Sequence, residues 1–166
     1  MKRVALNIDD LRRQAKCALP RFAFSYVEGG ADDEQTLKDN REIFGRWRFI
    51  PPVLNDSSQR DLSVTVCGQR LSAPLLIAPT GYNGMLRFGA DAMLARTAKH
   101  AGIGYIQSTV STASVEEIAA ENLPQHWFQL YVLKDRAVTA GLLARAKAAG
   151  CTTLVVSVDA VHFGNR

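Results

Sequence analysis

The sequence predicts an α/β fold with a parallel sheet, and three features of residues 74–158 support this prediction. Short apolar runs of strand length alternate with stretches in which apolar residues recur at helical spacing. Two of the helical stretches begin at capping signals, the capping box at 114–117 and Asp135, and two end at glycines, Gly102 and Gly150. The alternation repeats three times and closes with a fourth strand, an order typical of parallel sheets. An open doubly wound sheet and a (β/α)8 barrel both fit this order.

The elements predicted before residue 74 are short helices and a small hairpin. Asn7 is placed to cap the first helix, and two further helical stretches follow within roughly the first 45 residues. Residues 46–62 carry several helix and strand breakers and are predicted to be irregular. Gly68 lies between two short strand-like runs and predicts the hairpin. We therefore expect an N-terminal helical extension with a hairpin at 1–73 and a sheet domain at 74–166.

The predicted sheet domain has four strands, and the first is a continuous apolar run, as expected of a strand covered on both faces. The strands are predicted at 75–78, 104–108, 127–131 and 153–158. The intervening helices carry their apolar residues at 90–101, 114–120 and 135–149.

The composition is that of a globular protein. The chain has 166 residues, 47% hydrophobic content and a formal charge of +4, and its basic residues are dispersed, which argues against a nucleic-acid partner. Its three cysteines are widely spaced, so they predict reduced thiols in a cytoplasmic protein and no metal site. The N-terminus lacks a signal-peptide pattern, and no apolar run reaches the roughly 18 residues of a transmembrane helix.

Polar residues follow each predicted strand, and in both architectures the carboxyl ends of the strands form the ligand-binding edge. In chain order they are Pro79, Thr80, Gly81, Ser108, Thr109, Gln129, Tyr131, Ser157 and Asp159, with Arg166 further on. Each also has a structural interpretation: the hydroxyls can cap local backbone, Gln129 can be a hydrogen-bonded core residue, and Tyr131 can pack. Polar groups at four successive strand ends favour a site, because leaving one buried and unpaired costs about 1–3 kcal/mol.

Short motifs spread over the whole chain give a more specific signal. They are Tyr26-Val27-Glu28-Gly29-Gly30-Ala31-Asp32-Asp33, Asn40-Arg41, Trp47-Arg48-Phe49, Ile77-Ala78-Pro79-Thr80-Gly81, Phe128-Gln129-Leu130-Tyr131, and Val158-Asp159-Ala160 with Gly164-Asn165-Arg166. In order and spacing they resemble the FMN-dependent 2-hydroxy-acid dehydrogenases and oxidases. The segments at 27–31, 47–49 and 79–84 are most similar to the mandelate dehydrogenase branch of that family. The resemblance implies the N-terminal half of a (β/α)8 TIM barrel, preceded by short helices and a small hairpin.

The resemblance also implies how an FMN cofactor is held. The backbone of Pro79, Thr80 and Gly81 would lie against the flavin ring. The polar edge of the ring would be hydrogen-bonded by Ser108, Gln129 and Ser157. Ser157 departs from the threonine usual in the family but keeps the hydroxyl.

The same resemblance implies a site for a small 2-hydroxy acid. Tyr26 and Tyr131 would hold the substrate carboxylate and hydroxyl, and Arg166 would lie over the substrate. Asp159 would pair with the catalytic histidine and orient it, since a carboxylate beside an imidazole stabilises its protonated form. Tyr131 and Asp159 are therefore the expected catalytic residues.

The activity implied by the resemblance is oxidation of mandelate-like (S)-2-hydroxy acids to 2-oxo acids by a homo-oligomeric full-length enzyme. Gly81 replaces the alanine common in the family's oxidases and favours an electron acceptor other than oxygen. In mandelate dehydrogenase relatives, membrane attachment depends on a segment after the fourth strand.

Several parts of the family's site have no counterpart in this sequence. The base is a histidine on a later strand; a flavin-contacting lysine and the phosphate site also come later. His162 lies in the wrong segment to be that base, and His100 and His126 are expected to be ordinary surface or boundary residues. We therefore expect an N-terminal fragment that is inactive alone, with open strand edges that favour self-association. The alternatives are a glycolate or lactate oxidase-type enzyme and a non-catalytic half-barrel interaction module.

Overall fold

The computed structural model of the chain describes residues 4–160, 164 and 165. These residues form two compact units, one of residues 4–56 with 164 and 165, and one of residues 57–160. No helix within them is long and apolar enough to cross a lipid bilayer.

The first unit is helical, as predicted for this part of the chain. It contains α1 (Ile8–Ala18), α2 (Arg21–Glu28), α3 (Gln35–Glu42) and a 3-10 helix at Ile43–Arg46. Asn7 caps α1, because its side-chain oxygen accepts a hydrogen bond from Asp10 N at 2.8 Å. Asn165 returns to the loop after α2, where its Nδ2 donates to Asp32 Oδ1 at 3.1 Å and its carbonyl oxygen accepts from Asp32 N at 3.0 Å.

The second unit combines a hairpin with a four-stranded parallel sheet. The antiparallel hairpin is β1 (Val64–Val66) and β2 (Gln69–Leu71). The sheet strands are β3 (Leu76–Ile77), β4 (Gly104–Gln107), β5 (His126–Tyr131) and β6 (Thr153–Ser157). The helices are α4 (Asn83–Leu86), α5 (Ala90–Ala101), α6 (Val115–Ala119) and α7 (Arg136–Ala148). The hairpin and the four predicted strands are therefore present, and α4 is an additional element.

Local signals in the sequence account for the helix boundaries. Ser114 and Glu117 make both hydrogen bonds of the predicted capping box at the start of α6. Asp135 caps α7 by accepting from the backbone N–H groups of the first turn. Gly102 ends α5 with φ of 65°, a left-handed conformation that glycine adopts without a steric penalty.

The sheet is ordered β3-β4-β5-β6, so each strand lies beside the next one in the chain. On one face, Tyr105 packs with α5 and α6 residues, and Phe128 and Leu130 pack with α6 and α7 residues. The helices thus cover the same face, and the strand order never reverses. A doubly wound sheet has helices on both faces and a reversal of strand order, so this arrangement favours the barrel.

The opposite face of β5 carries Trp127, Gln129 and Tyr131, because side chains alternate along a strand. Trp127, at the amino end, donates from Nε1 to Gln69 Oε1 of the hairpin at 3.0 Å. The hairpin is also tied to this end by Gln125 Nε2, which donates to the Arg70 carbonyl at 3.1 Å. The hairpin therefore contacts the amino end of the sheet, away from the edge where the strands' carboxyl ends meet.

Candidate functional site

Gln129 joins the carboxyl ends of β4, β5 and β6 through its side chain. Its Oε1 accepts hydrogen bonds from Ser108 Oγ at 3.3 Å and from Thr109 N at 3.1 Å, and its Nε2 donates to Ser157 Oγ at 2.9 Å. Gln129 and Ser108 are only 1% and 3% exposed, and Ser157 is half-buried. Three residues predicted to lie at strand ends therefore meet in one polar cluster, which we call the Gln129 cluster (Ser108, Gln129 and Ser157).

The Gln129 cluster is uncharged and held in place by its own hydrogen bonds. Among the residues that the structure describes, no buried side-chain nitrogen or oxygen lacks a partner, so the cluster is also satisfied as an internal contact. An amide and two hydroxyls supply both donors and acceptors. That combination matches the carbonyl and N–H groups on the polar edge of a flavin ring, so these residues fit FMN by the chemistry of their donor set.

Thr109 fastens the end of β4 to β5. Its Oγ1 donates to the Gln129 carbonyl at 2.6 Å and accepts from Tyr131 N at 2.9 Å. For Thr109 the geometry agrees with the structural interpretation of a hydroxyl that caps backbone. This contact fixes the backbone on both sides of the Gln129 side chain.

The loop that follows β3 packs closely against the loop that follows β4. Tyr82 N donates to the Val110 carbonyl at 3.0 Å, and a Cβ added to Gly81 would overlap Cγ2 of Val110. Thr80 N donates to the Ala78 carbonyl at 2.8 Å, which turns the chain directly after the strand. Pro79, Thr80 and Gly81 therefore lie at the same edge of the sheet as the Gln129 cluster.

Beside these loops lies a buried carboxylate that was not predicted from the sequence. Asp91, in the first turn of α5, is 1% exposed and accepts hydrogen bonds from Asn83, Tyr105, Thr112 and Ala113. Burial raises the pKa of the Asp91 carboxyl, but hydrogen bonds from Thr112 and Asn83 outweigh it and leave the pKa below its ordinary value. A usable signal was present, because Asp91 lies four and seven residues before Ala95 and Ala98, on the buried face of α5.

The two predicted catalytic residues lie at or beyond the ends of neighbouring strands. Tyr131 ends β5 in register with Ser157 of β6, and it is 38% exposed. Asp159 follows β6 by two residues and is exposed. Both side chains are thus accessible at the edge that carries the Gln129 cluster.

Two further residues, Tyr26 and Arg166, are the remaining substrate candidates. Tyr26 is on α2 in the first unit and is 44% exposed. Arg166 lies outside the described residues, as does His162.

His126 is not a surface or boundary residue, and that expectation is wrong. It is the first residue of β5, is 3% exposed, and faces the helix-covered side of the sheet, where it stacks on Tyr105. Its Nε2 lies 2.9 Å from Gln107 Oε1. Burial lowers the pKa of His126, so the ring is neutral at neutral pH. The sequence position before an apolar run did not reveal that β5 begins one residue earlier than expected.

Comparison with curated proteins gives relatives along the whole chain. (S)-Mandelate dehydrogenase from Pseudomonas putida is 43% identical over 166 residues, which is 100% of this chain and 42% of that protein. L-Lactate dehydrogenase from Vibrio parahaemolyticus is 43% identical over 150 residues, covering 90% of this chain and 40% of that protein. The chain therefore spans less than half the length of these relatives.

Comparison with solved structures agrees with the sequence relatives. A soluble mutant of the membrane-associated (S)-mandelate dehydrogenase from Pseudomonas putida superposes with a TM-score of 0.91 and 43% identity, covering 98% of this chain and 46% of that one. Such neighbours are TIM-barrel enzymes, which confirms the predicted partial (β/α)8 barrel with its preceding helices and hairpin.

Residues 15–166 match the FMN-dependent dehydrogenase family. This match covers more than nine-tenths of the sequence, and it agrees with the relatives and with the fold. The chain belongs to the FMN-dependent dehydrogenase family.

Proposed function

We propose that this chain provides the flavin-facing and part of the substrate-facing residues of an enzyme that oxidises (S)-2-hydroxy acids of the mandelate type to 2-oxo acids. The observation that carries the proposal is the Gln129 cluster, which gathers uncharged donors and acceptors from three strand ends in a chain of this family. The (S)-mandelate dehydrogenase relative supports the substrate class.

The reaction removes two protons and two electrons from the substrate. One proton comes from the hydroxyl and one from the carbon that carries it, and a carbonyl remains. FMN, when bound, is the two-electron acceptor of the reaction. The chain's own residues would position the ring and the substrate. A second acceptor outside this chain would then reoxidise the cofactor.

For the cofactor, we propose that Ser108, Gln129 and Ser157 bind the polar edge of the flavin, with the backbone of 79–81 against the ring. The mutual hydrogen bonds of the cluster support this, because groups that are already oriented need no reorganisation when the ligand binds. Thr109 adds to the rigidity by fixing the Gln129 backbone.

For the substrate, we propose that Tyr131 binds the hydroxyl or carboxylate and that Asp159 orients a histidine base. The exposure of both side chains at the strand ends supports these roles. The roles of Tyr26 and Arg166 in substrate binding rest on the family resemblance alone. His126 does not qualify as the base, since its ring faces the helices on the other side of β5.

We propose further that the 166 residues alone do not turn over substrate, because the family's histidine base and phosphate site come from segments without a counterpart here. In the complete enzyme we expect a homo-oligomer in the cytoplasm, attached to the membrane as the relative described as membrane-associated is. Gly81 supports an electron acceptor other than oxygen.

A lactate-type substrate is the second candidate. The observation that favours it is the L-lactate dehydrogenase relative, whose identity of 43% equals that of the mandelate enzyme. The two substrates differ in side-chain size, which an apolar pocket discriminates by only about 1–3 kcal/mol per methylene.

A chimera tests the proposal. The chain would replace the matching segment of the Pseudomonas putida (S)-mandelate dehydrogenase, and the 166-residue chain alone would serve as the second sample. We expect the chimera to bind FMN and to lose its flavin absorption under anaerobic conditions when (S)-mandelate is added, whereas the chain alone shows no turnover.

A folded chimera that has been mixed with excess FMN and carries no flavin after the unbound FMN is removed would contradict the flavin site. Faster reduction by (S)-lactate than by (S)-mandelate would select the lactate alternative. Turnover by the chain alone would refute the proposed inactivity. A folded chimera that binds FMN without reduction by any 2-hydroxy acid would favour the non-catalytic module.

A further inference from the structure

Asp91 receives hydrogen bonds from three separate parts of the second unit. Its Oδ1 accepts from Asn83 Nδ2 at 2.8 Å and from Tyr105 OH at 3.2 Å. Its Oδ2 accepts from Thr112 N at 3.0 Å, Thr112 Oγ1 at 2.6 Å and Ala113 N at 3.3 Å. All five bonds are donations to the carboxylate. An ionised carboxylate, which only accepts, is the side chain that satisfies all of them.

Apart from Tyr105, the donors come from two segments: the loop after β3, taken together with the first two residues of α4, and the loop after β4. Asn83 Nδ2 also donates to the Thr80 carbonyl at 2.9 Å, and Gly84 N donates to Thr112 Oγ1 at 3.0 Å. The two loops and Asp91 thus form a closed ring of hydrogen bonds that passes through Asn83 and Thr112. The Tyr105 hydroxyl adds an anchor on β4, outside either loop.

The space between the two loops is tightly filled. A Cβ added to Gly84 would lie 2.6 Å from Thr112 Oγ1, and one added to Gly81 would overlap Val110. The backbone at Gly81 and Gly84 therefore lies so close to the opposite loop that the two loops fit together in one relative position. Sliding either loop would break the hydrogen bonds to the buried carboxylate, which are costly to lose without replacement.

We infer that Asp91 is a positioning residue that locks the loop after β3 to the loop after β4. In this arrangement Thr80 and Gly81 on the first loop keep a fixed spacing to Ser108 at the start of the second. The consequence for flavin binding rests on the function proposed above, whereas the locking of the loops does not.

Asp91→Asn is the informative substitution because it changes the chemistry and keeps the shape. Whichever way the amide is turned, its NH2 group faces two or three N–H and O–H donors, so at least one loop is released. Tyr105→Phe is the matched control. It removes one hydrogen bond to the same carboxylate and keeps the bonds that join the carboxylate to the two loops.

The test is residue-resolved amide hydrogen exchange by NMR on the 166-residue chain, together with thermal unfolding. We expect the amides of Tyr82 and Gly84, which donate across the two loops, to exchange about tenfold or more faster in Asp91→Asn, and within about twofold of wild type in Tyr105→Phe. Amides of β5 should follow the change in global stability only. A uniform acceleration of β5 and loop amides in Asp91→Asn would overturn the inference, because that result describes a residue that stabilises the fold without positioning the loops.

If Asp91→Asn does not fold, Thr112→Val is the variant that tests the inference. It removes the hydroxyl that bridges Gly84 N and Asp91, so the Gly84 amide should again exchange faster, and an unchanged rate would count against the inference.

Titration of the folded variants with FMN, followed by flavin fluorescence, separates this inference from the proposed function. If wild type responds to FMN, we expect the response to weaken about tenfold in Asp91→Asn and to persist in Tyr105→Phe. If wild type gives no response while the loop amides behave as expected, the positioning role stands and flavin binding by this chain is refuted.

Discussion

Gln129 donates from Nε2 to the hydroxyl of Ser157 across 2.9 Å, and this bond ties β5 to β6 on the face away from the helices. The same amide accepts through Oε1 from two groups at the end of β4. Its orientation is therefore fixed, since exchanging the oxygen and nitrogen would set the NH2 group against Thr109 N. A single side chain thus links three strand ends.

Replacing Gln129 with leucine should destabilise the protein. The substitution leaves the part-buried Thr109 N–H and the hydroxyls of Ser108 and Ser157 without this partner, so we expect the free energy of unfolding to fall by about 1–3 kcal/mol. Urea denaturation measures it. Gln125→Leu is the control, because Gln125 is half-buried and its side chain donates to a single carbonyl, and it should cost no more than about 1 kcal/mol. Equal losses in the two variants would contradict the structural importance of the Gln129 amide.

Gly81→Ala should be destabilising in this chain because of one neighbour. The added methyl group would overlap Cγ2 of Val110, and valine is stiff at χ1 and cannot easily turn away. We expect a loss of about 1–3 kcal/mol, as for other overpacked sites. The double variant with Val110→Ala should recover most of that loss, because the clashing atom is gone.

The measurement for Gly81 is a double-mutant cycle in urea. A coupling free energy of about 0.5 kcal/mol or more between the two substitutions is expected for residues in contact. Additive effects would show that the backbone of the loop, and not the Val110 side chain, accommodates the methyl group.

Much of the fold could be predicted because local sequence signals mark the ends of its helices. The Ser114 capping box, the Asp135 cap and Gly102 each mark a helix end that the structure reproduces. The short helix α4 could not be predicted, since it has four residues, includes Gly84, and is held by the contact between Asn83 and Asp91. That contact depends on tertiary structure and leaves no periodic signal.

The candidate site, like the fold, could be predicted from the sequence only in part. The rule that functional groups lie at strand carboxyl ends selected Ser108, Gln129 and Ser157 from sequence, and they do meet. Asp91 was missed because an aspartate in a helix is usually exposed, and its burial depends on donors from Asn83, from β4 and from the loop after β4. His126 was misassigned for a related reason, since only the packing against Tyr105 shows that it is buried.

His126 should make the stability of the chain depend on pH below about 6.5. Gln107 Nε2 donates to the Ala113 carbonyl at 3.0 Å, so its Oε1 faces the imidazole and accepts from Nε2, which carries the proton. Cys151 Sγ lies 3.6 Å from Nδ1, and burial raises the pKa of that thiol to about 11, so it stays uncharged. Among the residues that the structure describes, burial is thus the influence that sets the pKa of this ring, and no anionic group favours its protonated form.

The direction of the effect follows from the lowered pKa. In the folded protein burial holds the pKa of His126 below its ordinary value of 6.5, so between the two values the unfolded chain binds more protons than the folded one. The free energy of unfolding is highest above about pH 6.5 and falls as the pH drops toward the folded pKa, by up to about 1.4 kcal/mol per pH unit. His126→Gln keeps a donor for Gln107 Oε1 and removes the titration, so its stability should change less over this interval. Urea midpoints at about pH 7.5, 6 and 5 measure the two slopes, and His100→Gln, an exposed histidine at the end of α5, should keep the wild-type slope. If His126→Gln and wild type lose stability equally on acidification, another group is responsible and the buried histidine is not the acid-sensitive element of this fold.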